Sequence, residues 1–165
     1  MNRRLAIKQV LIFAGGLALL PSCLRNEGKV SIQLQHLDIS AAQEKLLAEI
    51  AELIIPKTNT SGAKDLGLHL FVLKMLDDCY DKAEQEQFIN GLKAFEGLEG
   101  AELKQLLTEA NANKAGLAKE ISQFFSIMKS RTIGGYLNSK YVMSNLVIWE
   151  LVPGRYNGYF PVKTA

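Results

Sequence analysis

Residues 57–152 contain no proline, although Pro56 and Pro153 stand immediately outside them. Proline lacks the N–H that a helix interior needs, and its ring clashes one turn back, whereas a chain of many short strands uses prolines in its turns. So long a stretch without one predicts packed helices. The apolar spacing agrees. Ser40 with Gln43 three residues on forms a capping-box pattern, and Leu46, Leu47, Ile50, Leu53 and Ile54 recur at helical spacing until Pro56. A first helix is therefore expected over about Ala41 to Ile55. PKTNTSGAKD, residues 56–65, reads as a loop. Leu66 to Leu76 is apolar nearly all round, broken by Gly67, His69 and Lys74, the pattern of a surrounded central helix.

Asp81 with Glu84 caps a third helix carrying Phe88, Ile89, Leu92 and Phe95, and a fourth carries Leu103, Leu106, Leu107 and Ala110. Gly97 and Gly100 separate the two. A fifth sets Leu117, Ile121, Phe124, Phe125 and Met128 on one face and runs towards Gly134 and Gly135; a sixth, short one follows Ser139. The expected fold is all-α: a single compact bundle of about five to six helices within residues 40–165, ending in an irregular aromatic tail.

The first 22 residues are expected to be an address. Arg3, Arg4 and Lys8 make a positive n-region and Val10 to Leu20 an unbroken apolar run. At about 1.5 Å per residue that run covers roughly half of a ~30 Å hydrocarbon core, too short for a transmembrane helix. Asn2-Arg3-Arg4-Leu5-Ala6-Ile7-Lys8 looks like a twin-arginine export signal, with Gly15 and Gly16 diluting the apolar run; the alternative is a general secretory signal that happens to carry two arginines. Leu20 and Ser22 before Cys23 resemble a lipoprotein box, in which Cys23 becomes the lipidated first residue; the alternative is a plain thiol beside an ordinary cleavage site. Residues 23–39 then read as a tether, although VSIQLQHL also alternates like a short strand. The address implies the bacterial periplasm, with the domain membrane-anchored through lipid.

Charge narrows the classes further. Of nineteen Lys and Arg, Arg3, Arg4 and Lys8 lie in the leader and none of the seventeen acids does, so the remaining domain is slightly acidic overall. No basic patch argues for nucleic acid. With Cys23 taken by lipid, Cys79 has no intrachain partner, and the domain must hold by packing.

No catalytic, cofactor or metal constellation stands out. His69, Asp77, Asp78 and Cys79 carry zinc-ligand atoms, but their spacing shares no helix face and favours structural use. Asp77-Asp78 reads as a helix end. No Gly-x-Ser-x-Gly elbow occurs, and Gly134-Gly135 follows no strand, so neither a nucleophile elbow nor a phosphate cradle has its context. The unusual feature is the tail, where Pro153-Gly154 and Asn157-Gly158 mark turns and aromatics are dense. Tyr and Trp are enriched at interfaces, which makes Tyr136, Trp149, Pro153, Gly154, Arg155, Tyr156, Tyr159 and Phe160 the candidate partner surface. The tail can equally strap the domain's own helices, and the two roles are compatible.

Several segments carry a family resemblance: Leu53-Ile54-Ile55-Pro56, the Thr58-Asn59-Thr60 loop with Gly62-Ala63, the Phe71 to Tyr80 helix, Gly135-Tyr136, and Val152-Pro153-Gly154-Arg155-Tyr156-Asn157-Gly158. Together, over about Leu46 to Val162, they resemble the gluconate 2-dehydrogenase subunit 3 family. His69 stands where that family commonly has proline, and Asn59 and Asn157 where it has aspartate. The resemblance implies a non-catalytic small subunit, without a cofactor of its own, of a membrane-associated flavin-dependent sugar or alcohol dehydrogenase. Its partners would be a large flavoprotein of the glucose-methanol-choline type, which holds FAD, and in some complexes a cytochrome c subunit carrying haem. The small subunit would assist maturation and carry a signal-less partner across the membrane. A stand-alone helical lipoprotein that binds a small ligand or another protein is the competing expectation.

Overall fold

The computed structural model describes residues 30–147, 154 and 157–159. Among the described residues six helices follow one another: α1 (Ala41–Ile54), α2 (Leu68–Cys79), α3 (Lys82–Lys93), α4 (Gly100–Asn111), α5 (Lys119–Leu137) and α6 (Lys140–Asn145). Among the described residues there is no strand. The expected all-α bundle is what forms.

Three of the described helices start at side-chain caps. Ser40 Oγ accepts the Gln43 N–H at 3.2 Å while Gln43 Oε1 accepts the Ser40 N–H at 2.9 Å. Asp81 and Glu84 make the same reciprocal pair at α3. Ser139 caps α6 through the Val142 N–H. At the other end of α2, the buried Gln85 amide donates to the carbonyls of Leu76, Asp77 and Tyr80. Three of the acceptors that a helix C-terminus leaves without intrahelical partners are thereby satisfied by one side chain from α3.

The helix that organises the bundle is α5, which packs on all the other five. This differs from the expectation that the apolar α2 would be surrounded. The outer face of α2 carries half-exposed Phe71 together with Lys74 and Asp78, so α2 is covered on one side only. The centrality of α5 rests on small residues, Thr132 and Gly135, which carry little hydrophobic signal, as well as on Phe124 and Met128. Phe124 stacks against Phe88 of α3 and against Phe95 in the turn after it, with ring centroids 4.7 and 5.0 Å apart. Leu47, Ile50, Leu73, Leu76, Leu92 and Met128 complete the fully buried centre.

Gly134 and Gly135 on α5 have different surroundings. A Cβ on Gly134 would meet nothing within 4 Å. Gly134→Ala is therefore expected to raise stability by about 0.5–1 kcal/mol by removing the conformational freedom of a helix-interior glycine. A Cβ on Gly135 would lie 2.7 Å from Phe71 Cδ1. The Phe71 ring is half-exposed and can swing aside, so Gly135→Ala is expected to lose that gain and come out near neutral. Thermal denaturation of the two variants checks this, and equal shifts would contradict it.

The tether expected over residues 23–39 is described from Val30 onward, and there it is packed down. Val30, Ile32, Leu34 and Leu37 lie against the core and Ile39 is buried within it. Two carboxylates hold this strap. Glu44 accepts the Ser31 N–H and hydroxyl, each at 2.6 Å. Asp77 accepts the N–H groups of Gln35, His36 and Leu37 at 2.8, 2.7 and 3.0 Å. The alternating apolar residues face the bundle as in a strand, but their backbone pairs with side chains. No helix of the described residues is long and apolar enough to cross a membrane.

Candidate interaction surface

At one end of the bundle, α1 runs out at Ile54 and the chain turns through residues 55–67 into α2. The loop is built on the Glu52 carboxylate, which accepts the Lys57 N–H at 2.8 Å and the Lys64 N–H at 3.0 Å. Ala63 is fully buried and its N–H reaches the Ile55 carbonyl at 2.9 Å. The Lys57–Asp65 ion pair, 2.8 Å long, lies on the outside of the same loop. Two tyrosines then clamp it from the far end of the chain. Tyr136 of α5 donates its hydroxyl to Thr60 Oγ1, and the Tyr141 hydroxyl of α6 accepts the Ser61 N–H, each at 3.3 Å.

Several large apolar side chains on the elements that form or adjoin this clamp are exposed. Leu53, Phe71, Ile133, Leu137, Leu146 and Val147 are all exposed there or on the adjoining helix faces. Ile133 and Leu137 are one turn apart on α5 and so share a face. Scattered apolar residues are ordinary on a protein surface, but repetition along one helix face makes a strip rather than a scatter.

Of the candidate partner residues, Tyr136 is half-buried and used in the loop clamp, Gly154 is exposed, and Tyr159 is 95% exposed, its N–H turned back to Asn157 Oδ1 at 3.0 Å. Trp149, Pro153, Arg155, Tyr156 and Phe160 lie outside the described residues, as do Arg3 and Arg4 of the expected leader and the expected lipidation site Cys23.

The weighed zinc set is dispersed by the fold. His69 Nε2 sits 3.9 Å from Glu44, Asp77 holds the strap, Asp78 pairs with Lys74 at 2.8 Å, and Cys79 is exposed. Burial pushes the His69 imidazole below its ordinary pKa against the pull of Glu44, which favours the neutral ring. No cluster of three metal-ligating side chains occurs among the described residues.

Four of the five segments singled out for their resemblance thus meet at one pole, namely the end of α1, the Thr58 to Ala63 loop, Phe71 of α2, and Gly135-Tyr136, while most of Val152 to Gly158 lies outside the described residues. The family model for gluconate 2-dehydrogenase subunit 3 matches residues 41–154. The chain belongs to the gluconate 2-dehydrogenase subunit 3 family. No curated protein and no solved structure matches it. Membership makes the chain an accessory subunit that associates with other subunits of a dehydrogenase complex. The match begins at the first residue of α1, so the strap of residues 30–39 lies outside the family-defining region.

Two features of this subunit were not singled out from the sequence as sites. One is the role of Asp77, weighed there as a zinc ligand and read as a helix end. A signal was available, because Asp77 stands four residues after Leu73 and therefore continues the buried stripe of α2. A carboxylate on a buried stripe requires donors. The other is a groove between α1, α4 and α5, formed by residues distant in sequence.

Proposed function

We propose that this subunit is a non-catalytic partner of an exported, FAD-containing dehydrogenase of the glucose-methanol-choline type, and that it assists maturation of the flavoprotein and carries it through the twin-arginine route. The observation that carries the reading is the family match over residues 41–154, taken with a leader bearing Arg3 and Arg4. A folded-protein export route suits this arrangement, because a cofactor-loaded large subunit without its own signal can cross only while bound to a signal-bearing partner. Lipid on Cys23 would then hold the assembly at the membrane facing the periplasm, with a haem c subunit as a third component where electrons pass onward. The chemistry belongs to the flavin subunit; this chain contributes binding surface.

The test is co-expression of the full chain with the flavoprotein, followed by cell fractionation. Both proteins are expected to co-purify from the periplasmic side. The Arg3→Lys/Arg4→Lys variant is expected to leave both in the cytoplasm, with periplasmic dehydrogenase activity reduced at least about tenfold. Normal export of the large subunit in that variant would contradict the carrier role, and recovery of this chain as a free monomer would favour a stand-alone lipoprotein.

A further inference from the structure

An open groove of about 290 Å³ runs between the last turn of α1, the face of α4 and the middle of α5. Leu53, Ile54, Leu107, Phe125 and Ile133 give it an apolar lining, and Lys104 and Lys129 stand at its rim, with no acidic residue among those that line it. Lys129 Nζ donates to Asn111 Oδ1 at 2.7 Å, a neutral acceptor that bridges α5 to α4. The lysine ion pairs among the described residues engage Lys57, Lys74 and Lys114, not these two. Leu53 and Ile133 are 44% and 37% exposed, and Leu137 carries the apolar strip one turn beyond the groove. An apolar floor beside two lysines that have no carboxylate partner among the described residues selects an occupant with apolar anchors and carboxylates.

Charge also selects between sources of that occupant. The chain's own tail, residues 148–165, has one acid, Glu150, against Arg155 and Lys163, so it opposes the rim instead of complementing it. A second copy docked symmetrically would bring Lys104 and Lys129 towards their counterparts. We propose that the groove docks an acidic amphipathic segment of the flavoprotein partner, inserting its apolar side chains against Leu53, Phe125 and Ile133 and placing carboxylates on Lys104 and Lys129. This rests on the accessory-subunit reading above. The groove has room for side chains rather than for a whole helix, so the segment lies across its mouth.

The test uses the full chain co-expressed with a tagged flavoprotein. Lys104→Glu/Lys129→Glu is expected to reduce co-purification at least about tenfold, while Lys82→Glu/Lys93→Glu, the same charge change on exposed lysines of α3, leaves it unchanged. A photo-crosslinking residue placed at Ile133 is expected to capture a flavoprotein peptide rich in Asp, Glu and aliphatic residues. Full retention by the double variant overturns the proposal, as does a crosslink to residues 148–165, to a second copy or to phospholipid. Failure of the unaltered chain to co-purify is a different result, and overturns the accessory-subunit reading itself.

Discussion

Asp77→Ala is expected to detach residues 30–37 from the bundle and to lower unfolding free energy by about 3 kcal/mol, in the range for removing one partner of a buried charged hydrogen-bond cluster. The Asp77 side chain is fully buried and takes three backbone N–H groups, with His36 Nδ1 at 3.7 Å and Lys74 Nζ at 3.8 Å as its charged or chargeable neighbours. Alanine would leave those donors without an acceptor. The strap can respond by peeling away so that water satisfies them, which caps the cost at the strap's own docking energy. Limited proteolysis within residues 30–37 reports that release, and denaturant unfolding reports its magnitude. A variant as protected and as stable as the wild type would contradict the anchoring role.

Acid should reproduce part of the effect. Burial by itself pushes the Asp77 carboxyl up, but donation from Gln35, His36 and Leu37 outweighs it and holds the group below its ordinary value. A carboxyl whose folded pKa is depressed stabilises the fold at every pH above its unfolded value, about 3.8, and the contribution is lost as pH falls through the folded value. The unaltered protein is therefore expected to keep its strap protected down to pH 3.8 and to become protease-sensitive there only as pH falls further, through the depressed folded value, whereas Asp77→Ala is already sensitive at pH 7.

Gly91→Ala should be the most damaging single-methyl change. A Cβ there would collide with the Glu120 carbonyl oxygen and lie 2.5 Å from Phe124 Cβ, where α3 crosses the start of α5. Both obstacles belong to the α5 main chain or its first side-chain atom, so no rotamer change relieves them. The whole helix must back away. Separating α3 from α5 loosens Phe88 against Phe124, and an overpacked core site costs about 1–3 kcal/mol or more, well above the ~1 kcal/mol that alanine recovers in helix propensity. A fall of several degrees in the thermal midpoint is expected, with loss of near-ultraviolet aromatic signal. The contrast with Gly134, where the same methyl meets empty space, separates crowding from propensity.

Helix positions were legible because their causes are local. The capping boxes at Ser40 and Asp81, the halt before Pro56 and the apolar faces of α3 and α4 all appear where the spacing places them. The centre of the bundle was not legible by the same route, since α5 earns its position through Thr132 and Gly135 as well as through Phe124 and Met128. Small residues mark a close crossing only once the helix opposite is known. The candidate surface divides in the same way. Tyr136 was singled out for its aromatic character, but its use against Thr60 joins residues 76 apart in the chain. The groove of Lys104 and Lys129 leaves no linear signature at all.

The sequence by itself determined that this chain is helical, where most of its helices begin, and to which family it belongs, because caps, periodicity and motif order are written within a few residues of one another. The tertiary structure decided that α5 is the hub, that the expected tether is a strap held by Glu44 and Asp77 from Val30 onward, and that four of the family-bearing segments share one pole beside an apolar groove with a basic rim. Those outcomes depend on which faces meet across gaps of many residues. Packing settles that, and no local pattern encodes it.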